Sequence, residues 1–291
     1  MDRVTDMRRL LLTLSYDGTR YAGWQWQANA VAVQQRVEEA LGALTGETVR
    51  VTGASRTDAG VHALGQRAHF DTRSRIPADK LPFALNTHLP PDIRALEARE
   101  VPPGFHARFD ARGKRYTYRI HNAPHASALF RSLTFHVPQR LDVPLMQNCL
   151  QELTGTHDFA AFEASGGTAK TTVRTLYGAQ LAHSGPSLWL SVSGDAFLYN
   201  MVRIIAGTLV DIGMGRVSRD AFRRAFASGD RLDLGVTAPP HGLELTRVFY
   251  EGESPACKQD FDMSCANFLT GENFPMTATP VSSEPHHRES E

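Results

Sequence analysis

Strand-like segments in this sequence follow one another without helices between them, and that removes most ways of packing the chain. Residues 9–16 place Leu10, Leu12, Leu14 and Tyr16 on one face, the period-two pattern of a half-buried strand. Residues 67–72, 93–101 and 114–121 read as strands, with a short one over 48–52. Residues 173–183, 188–193 and 243–250 repeat the pattern in the second half. Helical spacing is rarer. Val33, Val37, Ala40, Leu41 and Leu44 share a face before Gly46, and Phe197, Met201, Ile204, Ile205, Thr208, Leu209 and Ile212 mark an apolar helix face. Segments 79–86, 143–153 and 218–227 are further helix candidates. A parallel sheet needs a crossover after each strand. The expected fold class is therefore α+β, of an α/β type, with two similar halves, mostly antiparallel mixed sheets and flanking helices. The halves are expected at 1–122 and 123–251.

The net charge of zero hides an asymmetry. Residues 251–291 hold eight acids and two bases, a net −6, which leaves 29 bases and 23 acids, a net +6, in residues 1–250. Residues 54–131 carry thirteen bases and seven acids. A basic zone attracts phosphates and steers polyanions. From Gly252 onward the periodicity stops, and residues 252–291 read as a disordered acidic tail. The adjacent His286 and His287 fit that tail's composition rather than a metal site. No apolar run approaches the ~18 residues that span a bilayer. Leu10–Leu14 is too short for a signal-peptide core. Cys149, Cys257 and Cys265 form a sparse set with no CxxC spacing, which favours a reducing cytoplasm over a disulfide scaffold.

Several chemistries find no footing. His62, His69, His88 and His106 are scattered, without HxH or HxxxH spacing for a metal. There is no Walker loop, no GxGxxG after a strand, and no GxSxG elbow. Residues 53–66, GASRTDAGVHALGQ, set Arg56 and Asp58 among small residues. Such a loop turns sharply and lets another molecule approach. A carboxylate near a guanidinium stays ionised and can act as a nucleophile on a sugar carbon. The plain alternative is a turn organised by Thr57 and Asp58. In GKRYTYRI, residues 113–120, Tyr116, Tyr118 and Ile120 share one face, with Arg115, Thr117 and Arg119 on the other. Those tyrosines either stack on nucleobases or face the core. In DAFLYNMVRIIAG, residues 195–207, Arg203 sits among apolar residues and needs a carboxylate partner. A structural acid would serve, and so would Asp58.

In this order, YDGTRYAGWQWQ, SRTDAGVHALGQ, FHARFDARGKRYTYRI, DAFLYNMVRIIAG and APPHGLELTRVFY resemble the tRNA pseudouridine synthase A family over residues 8–250. The family's loop usually has Gly where this chain has Ser55. The resemblance implies an enzyme that isomerises uridine to pseudouridine in the tRNA anticodon stem-loop, around positions 38–40. It implies a basic cleft between the halves, a homodimer, and no metal or organic cofactor. It makes Asp58 the catalytic residue and places Tyr116 on the target base. Arg56 and Arg108 would contact RNA near the flipped nucleotide. Phe105, His106 and the loop carrying Lys170 would border the RNA, and Arg203 would support Asp58. Three other functions are weighed against this one. A non-catalytic RNA-binding protein of the same fold would need neither Asp58 nor Arg203, an N-glycoside hydrolase would release free uracil, and a scaffold explains neither the apolar-set Arg203 nor the small-residue loop.

Overall fold

The leucine-rich strand β1 (Arg8–Tyr16) is buried on both faces: Leu11 has as little exposure as Leu10, Leu12 and Leu14. Elements pack against each side of it, so the alternation in its sequence understates its burial. The computed structural model to which it belongs describes residues 7–255. Residues 256–291, with most of the expected tail, Cys257, Cys265, His286 and His287, lie outside the described residues.

After β1 come α1 (Val33–Thr45), β2 (Thr52–Gly53), β3 (His62–Thr72), α2 (Leu81–Leu85), β4 (Ile93–Val101) and β5 (Gly113–Asn122). The chain continues through β6 (Phe135–Val137), α3 (Val143–Cys149), β7 (Gly155–Asp158), β8 (Val173–Ser184) and β9 (Ser187–Gly194). It ends with α4 (Met201–Gly213), α5 (Ala221–Ser228) and β10 (Leu243–Phe249). The strands form one mixed, mainly antiparallel sheet in the order β4-β1-β3-β10-β5-β9-β8-β7, with β2 beside β3 and β6 beside β5. Helices flank it. The last strand decides the architecture. β10 runs parallel to β3, Leu245 opposite Ala63, and antiparallel to β5, Leu245 opposite Tyr116. The C-terminal strand thus brings the loop that precedes β3 and the tyrosines of β5 to one region.

Most elements fall where the sequence pattern puts them, and the departures have local causes. Residues 49–51 do not pair as a strand. The Val51 N–H donates to Glu38 Oε1 at 2.9 Å, and its carbonyl accepts from Gln34 Nε2 at 3.0 Å, so α1 side chains replace the ladder. The helix expected from Phe197 begins only at Met201. Asn200 before it takes a left-handed backbone, φ 60°, which α-helix cannot continue through. The third helix tightens into a 3-10 turn over Leu150–Leu153.

Every residue of α4 except Arg203 is buried, Thr208 and Asp211 included. The segment ahead of β10 approaches it closely at Gly207. A Cβ on Gly207 would stand 1.8 Å from the Val236 carbonyl oxygen. Gly207→Ala is expected to cost about 1–3 kcal/mol of stability, read from the midpoint of urea unfolding. An unchanged midpoint would mean that the 235–238 segment shifts freely.

Candidate active site

The small-residue loop is stitched down on both sides of Asp58. Before it, Ala54 N–H donates to the Arg67 carbonyl at 2.7 Å. Gln66, fully buried, accepts from Ser55 N–H at 3.2 Å and donates to the Ser55 carbonyl at 2.7 Å. Trp24 N–H donates to the Thr57 carbonyl at 3.0 Å. That approach demands Gly23, whose Cβ would meet the same carbonyl oxygen at 2.4 Å and whose φ is +92°. Thr57 Oγ1 shares a hydrogen bond with Tyr16 OH at 2.8 Å. After Asp58, Val61 N–H closes the turn onto the Asp58 carbonyl at 3.1 Å. Thr57 and the backbone therefore hold the turn, and the Asp58 side chain projects from it.

Its carboxylate faces Arg203. Asp58 Oδ2 lies 3.9 Å from Arg203 Nη1, and the two side chains are 32% and 16% exposed. At that length the pair is an electrostatic contact without a good hydrogen bond. The guanidinium is fixed by other partners. Arg203 Nε donates to the Ala238 carbonyl at 2.8 Å, and Nη1 donates to Asn200 Oδ1 at 2.7 Å. Asn200 is the only non-glycine residue with positive φ among those described. A left-handed backbone at a non-glycine residue is uncommon, and such positions gather at working sites. Burial pushes the Asp58 pKa up from its ordinary value, and the charge of Arg203 opposes the shift.

Tyr116 approaches from β5. It is buried, its ring meets the edge of Phe197 at 5.1 Å between centroids, and its hydroxyl lies 2.7 Å from Ser55 Oγ. Burial pushes the phenol up to about 12; the Ser55 hydrogen bond works against this, and the Asp58 charge adds to it. Tyr116 is thus a neutral phenol at neutral pH. Tyr118, two residues on, is a core residue whose hydroxyl donates to the Pro239 carbonyl at 2.8 Å. On the opposite face Arg119 Nη2 pairs with buried Glu244 Oε2 at 2.5 Å.

The remaining sequence candidates lie around this core. Arg56 is exposed on the loop itself. Phe105 and His106 belong to a separate aromatic group. His69 packs on His106 at 4.9 Å, His106 on Phe109 at 4.2 Å, and Phe105 on Tyr250 at 5.1 Å. His106 Nδ1 accepts the N–H groups of Arg108 and Phe109, at 3.2 and 3.3 Å, which fixes that bend. Arg108 is exposed, and Phe109 is 76% exposed. Lys170 is exposed on a loop tied to the site by Ala164 N–H, which donates to the Tyr199 carbonyl at 3.1 Å. Two cavities, of about 620 Å³ beside Arg20 and Arg36 and about 310 Å³ beside Arg119, lie away from Asp58. Asp58 lines neither of them, and its side chain is partly exposed. Among the described residues no group of three His, Cys, Asp or Glu is arranged to hold a metal ion.

The sequence profile of the family described as tRNA pseudouridine synthase matches residues 13–110 and 149–251, which include Asp58 and Arg203. The chain belongs to this family. Relatives named tRNA pseudouridine synthase A extend the match. The protein of Ruminiclostridium cellulolyticum is 49% identical over 245 residues, 84% of this chain and all of that one. That of Acetivibrio thermocellus is 49% identical over 244 residues, and that of Thermoanaerobacter sp. 44% over 244, each with the same coverage. The family match lies within the described residues.

Three residues that hold the surroundings of Asp58 in this pseudouridine synthase family member were not among the sequence candidates for the site. Ser55, Gln66 and Asn200 hold Tyr116, the loop and Arg203 respectively. Asn200 left a trace, since asparagine before an apolar helix suits a left-handed backbone. Gln66 left a fainter one, as a polar residue on a strand that is otherwise well buried.

Proposed function

We propose that this chain converts uridine to pseudouridine in the anticodon arm of tRNA, around positions 38–40, with Asp58 as the catalytic carboxylate. The observation that carries the reading is the partly exposed Asp58 carboxylate, projecting from a stitched loop toward the Arg203 guanidinium. The reaction breaks N1–C1′, turns the uracil and joins C5 to C1′; the C5 proton is lost and N1 gains one. It balances without a co-substrate. Asp58 attacks C1′, attacks C6, or takes the C2′ proton, and each step needs the ionised form. The target base must leave the stack, at a few kcal/mol. Exposed Arg56 fills the vacated space and holds a phosphate, Tyr116 supports the everted ring, and Arg108, Phe105, His106 and Lys170 border the RNA in a basic cleft. A homodimer working in a reducing cytoplasm completes the reading, on the strength of the family resemblance and the sparse cysteines. No helix among the described residues is long and apolar enough to cross a membrane.

Incubation with an unmodified tRNA transcript, followed by chemical mapping of pseudouridine, tests the reading. Modification at positions 38–40 supports it. Release of free uracil would make the protein an N-glycoside hydrolase, and binding without modification an RNA-binding protein. Arg56→Ala is expected to slow single turnover about 10- to 100-fold, the worth of a charged hydrogen bond, with a much smaller change in Kd. Equal losses in rate and affinity would count against its place beside the flipped nucleotide.

A further inference from the structure

Ser55 lies three residues before Asp58, and the structure leaves its side chain little choice of direction. Gln66 grips the peptide groups on both sides of it, at 3.2 and 2.7 Å. The preceding residue is bonded to β3 through Ala54 N–H and the Arg67 carbonyl. With the backbone held at these points, the Cβ direction is set, and Oγ meets Tyr116 OH at 2.7 Å. Tyr116 is equally constrained. It sits in β5 between Leu245 of β10 and Val192 of β9, with the Phe197 ring against its own. Ser55 is 7% exposed and so is Tyr116. The hydroxyl pair is thus a buried joint between the loop that carries Asp58 and the strand that faces it.

A phenol proton lies near the ring plane and points to either side unless a partner selects one, whereas the serine hydroxyl rotates to suit its partner. A buried hydroxyl without a partner is costly, so removing one member of the pair frees or displaces the other. We propose that Ser55 is a positioning residue for the isomerisation: its hydroxyl fixes the phenol of Tyr116 relative to Asp58 and so sets the ring against the everted uridine. The inference rests on the function proposed above. Ser55 touches no reacting atom. It acts through Tyr116, and its effect vanishes when the Tyr116 hydroxyl is absent.

A double-mutant cycle read in single turnover tests this, with Kd for the tRNA transcript and thermal midpoint measured alongside. Ser55→Ala and Ser55→Gly are expected to slow single turnover about three- to tenfold, the range for a lost buried hydrogen bond, with unchanged Kd. In a Tyr116→Phe background either substitution should change the rate by less than about 1.5-fold, because the partner hydroxyl is already gone. Equal rate losses in both backgrounds, or a lowered thermal midpoint with an unchanged rate, would overturn the proposal and leave Ser55 a packing residue of the loop. Asp58→Asn, run in parallel, separates the two claims. If it retains activity, the reading of the site fails whatever the Ser55 cycle shows. If it is inactive while the Ser55 cycle is additive, only the present inference fails.

Discussion

Asp58→Asn is expected to abolish pseudouridine formation, by about a thousandfold or more in single turnover, while the Kd for tRNA stays within about twofold. The substitution keeps the shape of the side chain and removes its charge. The loop should survive it, because the bonds that hold the turn come from Thr57, Gln66 and the backbone rather than from the Asp58 carboxylate. Affinity should survive because RNA binding rests on cations and stacking, with the carboxylate contributing repulsion of phosphate if anything. Stability carries an independent signature. Burial raises the Asp58 pKa in the folded state, so between the unfolded and folded values the native protein binds more protons than the unfolded chain. The favourable term is complete below the unfolded pKa and is lost as pH rises through the folded one. At neutral pH the ionised carboxylate is therefore a burden on the fold, and Asp58→Asn should raise the thermal midpoint or leave it unchanged. The difference from wild type should shrink as pH falls through the carboxylate range. Turnover within tenfold of wild type would remove Asp58 from the chemistry. A fall in thermal midpoint would mean that the carboxylate is structural.

How much of this site the sequence discloses depends on what kind of information each part needs. Strand β5 is legible because alternation reports facing: Tyr116 and Tyr118 share a side, as the period requires. Alternation cannot report what lies above that side, so it gives no hint that Tyr118 is sealed in the core while Tyr116 reaches Ser55. Arg203 is legible for a thermodynamic reason, since a guanidinium in an apolar helix needs a partner. The start of that helix is not, because the apolar face continues back to Phe197 and only the left-handed turn at Asn200 stops it. Strands β6 and β7 have three and four residues, too few to show a period. Strand β10 pairs with β3 and β5 through Leu245, 182 positions from Ala63 and 129 from Tyr116, and no local pattern encodes contacts of that separation. The motif order carried what local physics could not, by pointing to a known family.

Arg203→Gln is expected to lower kcat/KM about a hundredfold at neutral pH, with part of the loss recovered as pH rises. The guanidinium lies 3.9 Å from Asp58 and is the charge that opposes the upward push of burial on the carboxyl. Without it the Asp58 pKa rises further, so the acid limb of the pH profile moves to higher pH. Because the reaction needs the carboxylate, the deficit is greatest at low pH and smallest on the alkaline side, where Asp58 ionises unaided. Losing the facing charge disfavours the ionised form that the reaction needs, and burial of the carboxylate works in the same direction. Arg203→Lys should not rescue. A lysine offers all its donors from one nitrogen, whereas Arg203 reaches the Ala238 carbonyl from Nε and Asn200 from Nη1 of a planar fork. A profile of unchanged shape, scaled down equally at every pH, would show that Arg203 supports the fold rather than the ionisation of Asp58. Combining Arg203→Gln with Asp58→Asn gives the sharper version. With the carboxylate charge gone, the stability lost through Arg203→Gln should be smaller than in the wild-type background, because no uncompensated negative charge is left behind.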